Sequence, residues 1–125
     1  MKYKASELEG WMLDAAVALA GDDVALREYI QRTPGGPWPF CRPYSTEWHA
    51  GGEVIERECI SIVASMGVDM SGPLEWSATV GAFEHYIDEG LPLGGYDDKS
   101  GAGTTPLVAA MRAFVACKMG TEVDL

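Results

Sequence analysis

Apolar residues recur along this chain in two periods, and the change between them orders its expected elements. At helical spacing, Trp11, Met12, Ala15, Ala16 and Leu19 supply one face of a helix over residues 9–20. Ser6 and Glu9 stand at capping-box spacing, Gly10 weakens the first turn, and Gly21 sits where a C′ glycine would stop it. Asp22 or Asp23 can cap a shorter helix over 24–31, anchored by Leu26 and Ile30. Residues 33–39 hold three prolines, and proline lacks an amide donor and pushes its predecessor out of the α region. This first loop carries Trp38, either as a contact between copies or as a plug for the loop itself.

Further along, the period falls to two. Ile60, Ile62 and Ala64 alternate with Ser61, Val63 and Ser65, which predicts a strand over 54–64. Leu74, Trp76, Ala78 and Val80 alternate with Glu75, Ser77 and Thr79, which predicts an antiparallel partner over 74–80, beyond a turn at 67–73. Residues 44–52 read as a turn-rich link carrying Trp48. Phe83, Tyr86 and Ile87 suggest a short helix stopped at Gly90-Leu91-Pro92, and 93–103 is a third loop with four glycines.

The clearest element follows. Thr104 or Thr105 is an N-cap and Pro106 suits the first helical position. In the helix over 107–119, eleven of thirteen residues are apolar, and only Arg112 and Lys118 carry charge. A helix apolar all round is buried. Lys118 complements the dipole in its last turn, and Gly120 is its stop. Residues 1–4 form a first edge strand or a frayed arm. The pattern therefore predicts one α+β domain over 1–125, a small antiparallel sheet packed against a buried C-terminal helix and an N-terminal helix.

Composition narrows the function. The chain has 125 residues, 47 % hydrophobic, which suits a single core. Nineteen acidic against nine basic side chains give a net charge of −10. Such a field repels phosphate backbones, so direct nucleic-acid binding is not expected. Mimicry of nucleic acid needs carboxylates in rows, whereas Glu7, Asp14, Glu28, Glu47, Glu75 and Asp88 are scattered. Cys41, Cys59 and Cys117 form no CxxC pair, so each reads as a small buried hydrophobe in a reducing compartment. The N-terminus has no apolar signal core, and no run approaches the roughly 18 apolar residues of a membrane helix. The expected location is the cytoplasm, with no membrane partner.

Two segments are candidate binding sites. Gly101-Ala102-Gly103-Thr104-Thr105-Pro106 leads into the last helix, whose N-terminus can hold an anion, with Arg112 two turns deeper on the same side as Thr105. The bland alternative is that the threonine caps, the glycines turn the chain, and Arg112 pairs with a carboxylate such as Glu56. The second segment runs from Tyr44 through Trp48, Gly51 and Gly52 to Glu56, where aromatics and a diglycine beside charges offer a contact surface. The alternative there is a core tryptophan over a bend. His49 and His85 lie in no metal or catalytic spacing, and no serine has a GxSxG elbow. No catalytic residue, metal or cofactor is expected.

Tyr44-Ser45-Thr46-Glu47-Trp48, Gly51-Gly52 and Ile55-Glu56-Arg57-Glu58 resemble a signature of the NinX-like phage proteins. The stretch from Thr105-Pro106-Leu107 through Ala110-Met111-Arg112 to Lys118-Met119-Gly120 is similar to that family's last helix. Lys4-Ala5-Ser6-Glu7-Leu8, Leu13-Asp14, and Trp76 with Ala78 match shorter pieces. Glu53 stands where a proline is usual, Thr104 departs from a Gly-Pro-Thr lead-in, and the stretch 83–101 is longer than in many relatives. The resemblance implies a phage or prophage accessory protein and carries no activity with it. It also implies that Trp48, Gly51, Gly52, Glu56, Thr105 and Arg112 belong to one region; with Tyr44 they are the candidate ligand-binding residues. The leading expectation is non-enzymatic binding of a host protein or a small anionic ligand. The alternatives are a small enzyme on an anionic metabolite, with Glu56 or Glu58 as base and Arg112 as clamp, and an acidic nucleic-acid mimic.

Overall fold

The computed structural model describes residues 2–34, 36, 38, 41–66, 73–81 and 100–125. Its elements are β1 (Lys2–Lys4), a 3-10 turn at Ala5–Glu7, α1 (Gly10–Ala20), α2 (Val24–Arg32), α3 (Trp48–Glu58), β2 (Ile60–Met66), β3 (Pro73–Val80), β4 (Ser100–Gly103), α4 (Pro106–Met119) and β5 (Glu122–Asp124). Helices and two small antiparallel sheets make this an α+β fold. The expected short helix around Phe83–Ile87, the turn at 67–72 and the loop at 93–99 lie outside the described residues.

The apolar helix is the spine, as its composition demands. Ala109, Ala110, Met111, Ala113, Phe114 and Val115 are each at most 1 % exposed. One side of α4 lies on the sheet β2-β3-β4, where Ile62 pairs with Ala78 and Ala78 with Gly101. Another side meets α1 through a core that includes Leu13, Val17 and Leu19. β1 and β5 close a second sheet, Tyr3 opposite Val123, so the first residues form a strand and not a frayed arm.

The close fit of α4 to β4 explains the glycines that the sequence suggests as a loop. A Cβ on Gly101 would collide with the backbone of Ala109, Arg112 and Ala113, and one on Gly103 would come within 2.7 Å of Val108 Cγ1. Strand and helix thus pack backbone to backbone, and residues 100–103 are a strand.

Two further corrections follow from packing. The second half of the turn-rich link over 44–52 and the start of the expected strand over 54–64 are helical, from Trp48 to Glu58, while residues 44–46 are the expected turn. The four-residue spacing of buried Ala50 and Val54 is the signal that the β-branched pair Val54-Ile55 obscures. Gly51 lets α3 approach its neighbours, since a Cβ there would strike the Tyr44 carbonyl and Leu107 Cδ2. Cys59, left-handed at φ 54°, ends α3 and lets β2 begin at Ile60.

The α1 ends also differ from expectation. No side chain caps its start, so Ser6 and Glu9 form no capping box; Gly10 instead supplies a φ of +59° that favours glycine. At its end Gly21 is not left-handed; Asp22 is, at φ 66°. Asp23 Oδ1 then accepts the Leu26 amide at 3.0 Å and caps α2. Trp11, expected on the apolar face, is 56 % exposed and meets Trp38 edge to face at 5.1 Å. Trp38 donates its indole N–H to the Thr33 carbonyl at 2.8 Å, which makes it a plug for its own loop.

Candidate functional site

The segment leading into α3 is a compact turn built on its own backbone. The Tyr44 amide donates to the Arg42 carbonyl (2.8 Å), and the Glu47 amide to the Pro43 carbonyl (2.9 Å). The Ser45 amide donates to Asp14 Oδ1 at 2.9 Å, which fastens this turn to α1. The turn delivers Trp48 to the first position of α3, where its side chain stays 56 % exposed.

The start of α4 stands opposite. Thr105 Oγ1 accepts the Val108 amide at 3.1 Å, so Thr105 is the N-cap, and Pro106 fills the first helical position. Between the two segments lies a cleft of about 310 Å³, lined by Ser45, Thr46, Trp48, Thr105, Pro106, Leu107 and Val108. Its walls are mainly apolar, with hydroxyls from one serine and two threonines. Gly51 closes the contact behind it, against Leu107.

The structure thus brings Trp48, Gly51 and Thr105 together. Gly52 lies one residue on, with Trp48 Cε3 at 4.0 Å from where its Cβ would stand. Tyr44 contributes its carbonyl to the Gly51 contact and lines two other clefts. Glu56 is exposed on α3 and lines none of these clefts. Arg112 lies apart from them too: its Nε donates to the Leu8 carbonyl and its Nη1 to the Ala102 carbonyl, each at 2.8 Å. The expected pairing of Arg112 with Glu56 is replaced by these bonds, which tie α4 to the chain before α1 and to β4. A guanidinium half-buried beside carbonyl oxygens is satisfied without a carboxylate.

The two motifs that meet at this cleft fall inside one family match. The profile of the Bacteriophage P22 NinX family matches residues 4–118, nearly the whole chain. The chain belongs to that family. Membership makes it a phage accessory protein. No curated protein matches the chain.

In this NinX-family fold a second cleft, of about 390 Å³, opens where the ends of α1, α3 and α4 meet. Arg42, Arg57 and Lys118 line it, together with Asp22, Asp23, Glu53 and Glu58. Arg42 lies over the Tyr44 ring at 5.8 Å and pairs with Glu53 at 3.3 Å. Arg57 lies over the Phe114 ring at 6.0 Å and pairs with Glu58 at 3.0 Å; Lys118 reaches the other Glu58 oxygen at 3.6 Å. The Arg57 hydrogen bond, helped by Lys118, holds the Glu58 carboxyl below its ordinary range against a smaller effect of burial. Sequence reasoning missed this site because its cations come from positions 42, 57 and 118. Only the four-residue pattern of α3, which places Val54 and Glu58 on one side, could have pointed to it.

Other chemistry is sparse. Burial, then Asp14 and Asp23, push the Cys41 thiol up, which keeps it protonated and unreactive at neutral pH. His49 is exposed on α3, and His85 lies outside the described residues. Among the described residues no three His, Cys, Asp or Glu side chains gather as metal ligands. No described helix is long and apolar enough to cross a membrane.

Proposed function

We propose that this NinX-family chain is a non-enzymatic binding protein that docks a host protein through the Trp48 cleft. The carrying observation is the cleft itself: a tryptophan 56 % exposed at the rim of an apolar recess where the chain's two most distinctive motifs meet. Tryptophan is among the residues most enriched at the energetic centres of protein interfaces. A side chain kept partly in water at this point contributes less to folding than a buried one, so its place at the recess fits binding.

The test uses Trp48→Ala. The variant is expected to keep a cooperative melt several degrees below that of the parent, because only the buried part of the indole is lost. Host proteins retained from lysate by the parent should be lost by the variant. Equal capture by both would sink the proposal.

One observation favours the second reading, a small anionic ligand. In a chain of net charge −10, three of nine basic side chains line the cleft of Arg42, Arg57 and Lys118, beside the half-buried Tyr44 ring. Their carboxylate partners Glu53 and Glu58 form exposed or partly exposed pairs, which are cheap to displace. A thermal-shift series with inorganic phosphate and nucleotides tests it: stabilisation lost in Lys118→Ala supports it, and none in the parent rejects it.

A further inference from the structure

We propose that the cleft of Arg42, Arg57 and Lys118 and an adjoining cleft beside α2 together hold one nucleoside monophosphate. This rests on the small-anion reading given above for the first of these clefts, and it names what the anion carries.

The first ground is that the two clefts are continuous. The adjoining one, of about 510 Å³, lies between α2 and the turn before α3, and Leu26, Tyr29 and Cys41 help line it. Ala18, Asp23, Arg42 and Tyr44 line both clefts. The two therefore meet along that strip and form one groove. Each lies in the range of roughly 300–1,000 Å³ that suits small ligands.

The second ground is that the chemistry changes along the groove. At one end stand Arg42, Arg57 and Lys118. Each guanidinium spends a single nitrogen on a carboxylate, Arg42 Nη1 on Glu53 and Arg57 Nε on Glu58. Neither makes a further hydrogen bond among the described residues, so both keep donors for an oxyanion. At the shared strip stands Asp23. Its Oδ1 is held by the Leu26 amide, which leaves its other oxygen to accept from hydroxyls. At the far end Tyr29 and Tyr44 line a mainly apolar recess, where a flat ring finds aromatic contact.

That order selects the ligand. A bare phosphate leaves the tyrosine end empty. An aromatic acid without hydroxyls sets nothing against Asp23. A nucleoside monophosphate carries a phosphate, donating sugar hydroxyls and a flat base, in the same sequence as the groove. Asp22, Glu53 and Glu58 share the cationic end, so each added phosphate meets carboxylates as well, and one is favoured over a chain of them. The net charge of −10 likewise disfavours a polynucleotide, whose further phosphates would lie beyond these cations.

The experiment is isothermal titration calorimetry of the whole protein. The probes are inorganic phosphate, phenyl phosphate, the four ribonucleosides and their 5′-monophosphates. At least one monophosphate should bind about tenfold or more tighter than its nucleoside and than phenyl phosphate, with inorganic phosphate the weakest anion. Tyr29→Ala should weaken that monophosphate about tenfold, Tyr29→Phe should restore it, and Lys118→Ala should weaken monophosphate and inorganic phosphate alike. Circular dichroism checks that each variant is folded. If inorganic or phenyl phosphate matches every monophosphate, or if folded Tyr29→Ala binds like the parent, the nucleotide inference fails and the small-anion reading survives. If no phosphate-bearing probe binds, both fall.

Discussion

The helix α4 meets its neighbours in two contrasting ways. Along its middle, the backbone of Ala109 and Ala113 meets Gly101 of β4 so closely that no Cβ could be added there, and the Val108 side chain with the Ala109 amide crowds Gly103. At its first turn, Pro106, Leu107 and Val108 face Ser45, Thr46 and Trp48 across an open recess. Both contacts join a segment rich in small or turn-forming residues to the same helix. The closed one buries Gly101, Gly103, Ala109 and Ala113 and carries stability. The open one leaves a large indole exposed, and what it can offer is binding.

The most severe way to break that contrast is a charge at the closed contact. Ala113→Asp places a carboxylate at a position 0 % exposed, with neither room nor partner. It is expected to abolish the cooperative thermal transition followed by circular dichroism. A variant that melts like the parent would mean that α4 is not the buried spine.

The adjoining glycines of α3 sharpen the contrast with opposite signs. Gly51→Ala should cost about 1–3 kcal/mol, because its Cβ meets a backbone carbonyl and Leu107. Gly52→Ala, where the nearest atom lies 4.0 Å off, should gain about 0.5–1 kcal/mol as a helix-interior glycine is replaced. Urea midpoints decide between them. Two changes of the same sign would show that Gly51 is not held by close packing.

This pair also shows what the sequence could and could not reveal. α1, α2 and the β2–β3 pairing follow from apolar periodicity and α4 from a run apolar all round, because burial imposes both patterns directly. The diglycine was legible as a special feature but not as a helical one. The purpose of Gly51 is a contact with Tyr44 and Leu107, residues that only the fold brings near. Gly101 and Gly103 misled for the same reason: glycine signals a turn locally, while here it serves a partner at Ala109 and Ala113. Of the candidate site residues, Trp48, Gly51 and Thr105 do converge. Arg112 does not, since nothing in a linear pattern says that two carbonyls, at Leu8 and Ala102, will take its guanidinium.

The last turn of α4 offers an intermediate case, a contact that is neither closed nor empty, and the smallest expected effect. Glu58 bridges Arg57 and Lys118, and chiefly the Arg57 hydrogen bond lowers its pKa from the ordinary 4.5. A carboxyl lowered on folding adds stability that is present above its unfolded pKa and lost as pH falls through the folded value. The partners are 58 % and 46 % exposed, so the contribution is only a few tenths of a kcal/mol. Glu58→Gln should therefore lower the urea midpoint slightly at pH 7 and by less at pH 3.5. If parent and variant differ equally at both pH values, the bridge does not hold the last turns of α3 and α4 together. That outcome would leave the β4 contact as the anchor of α4 and the cleft of Arg42, Arg57 and Lys118 free to open.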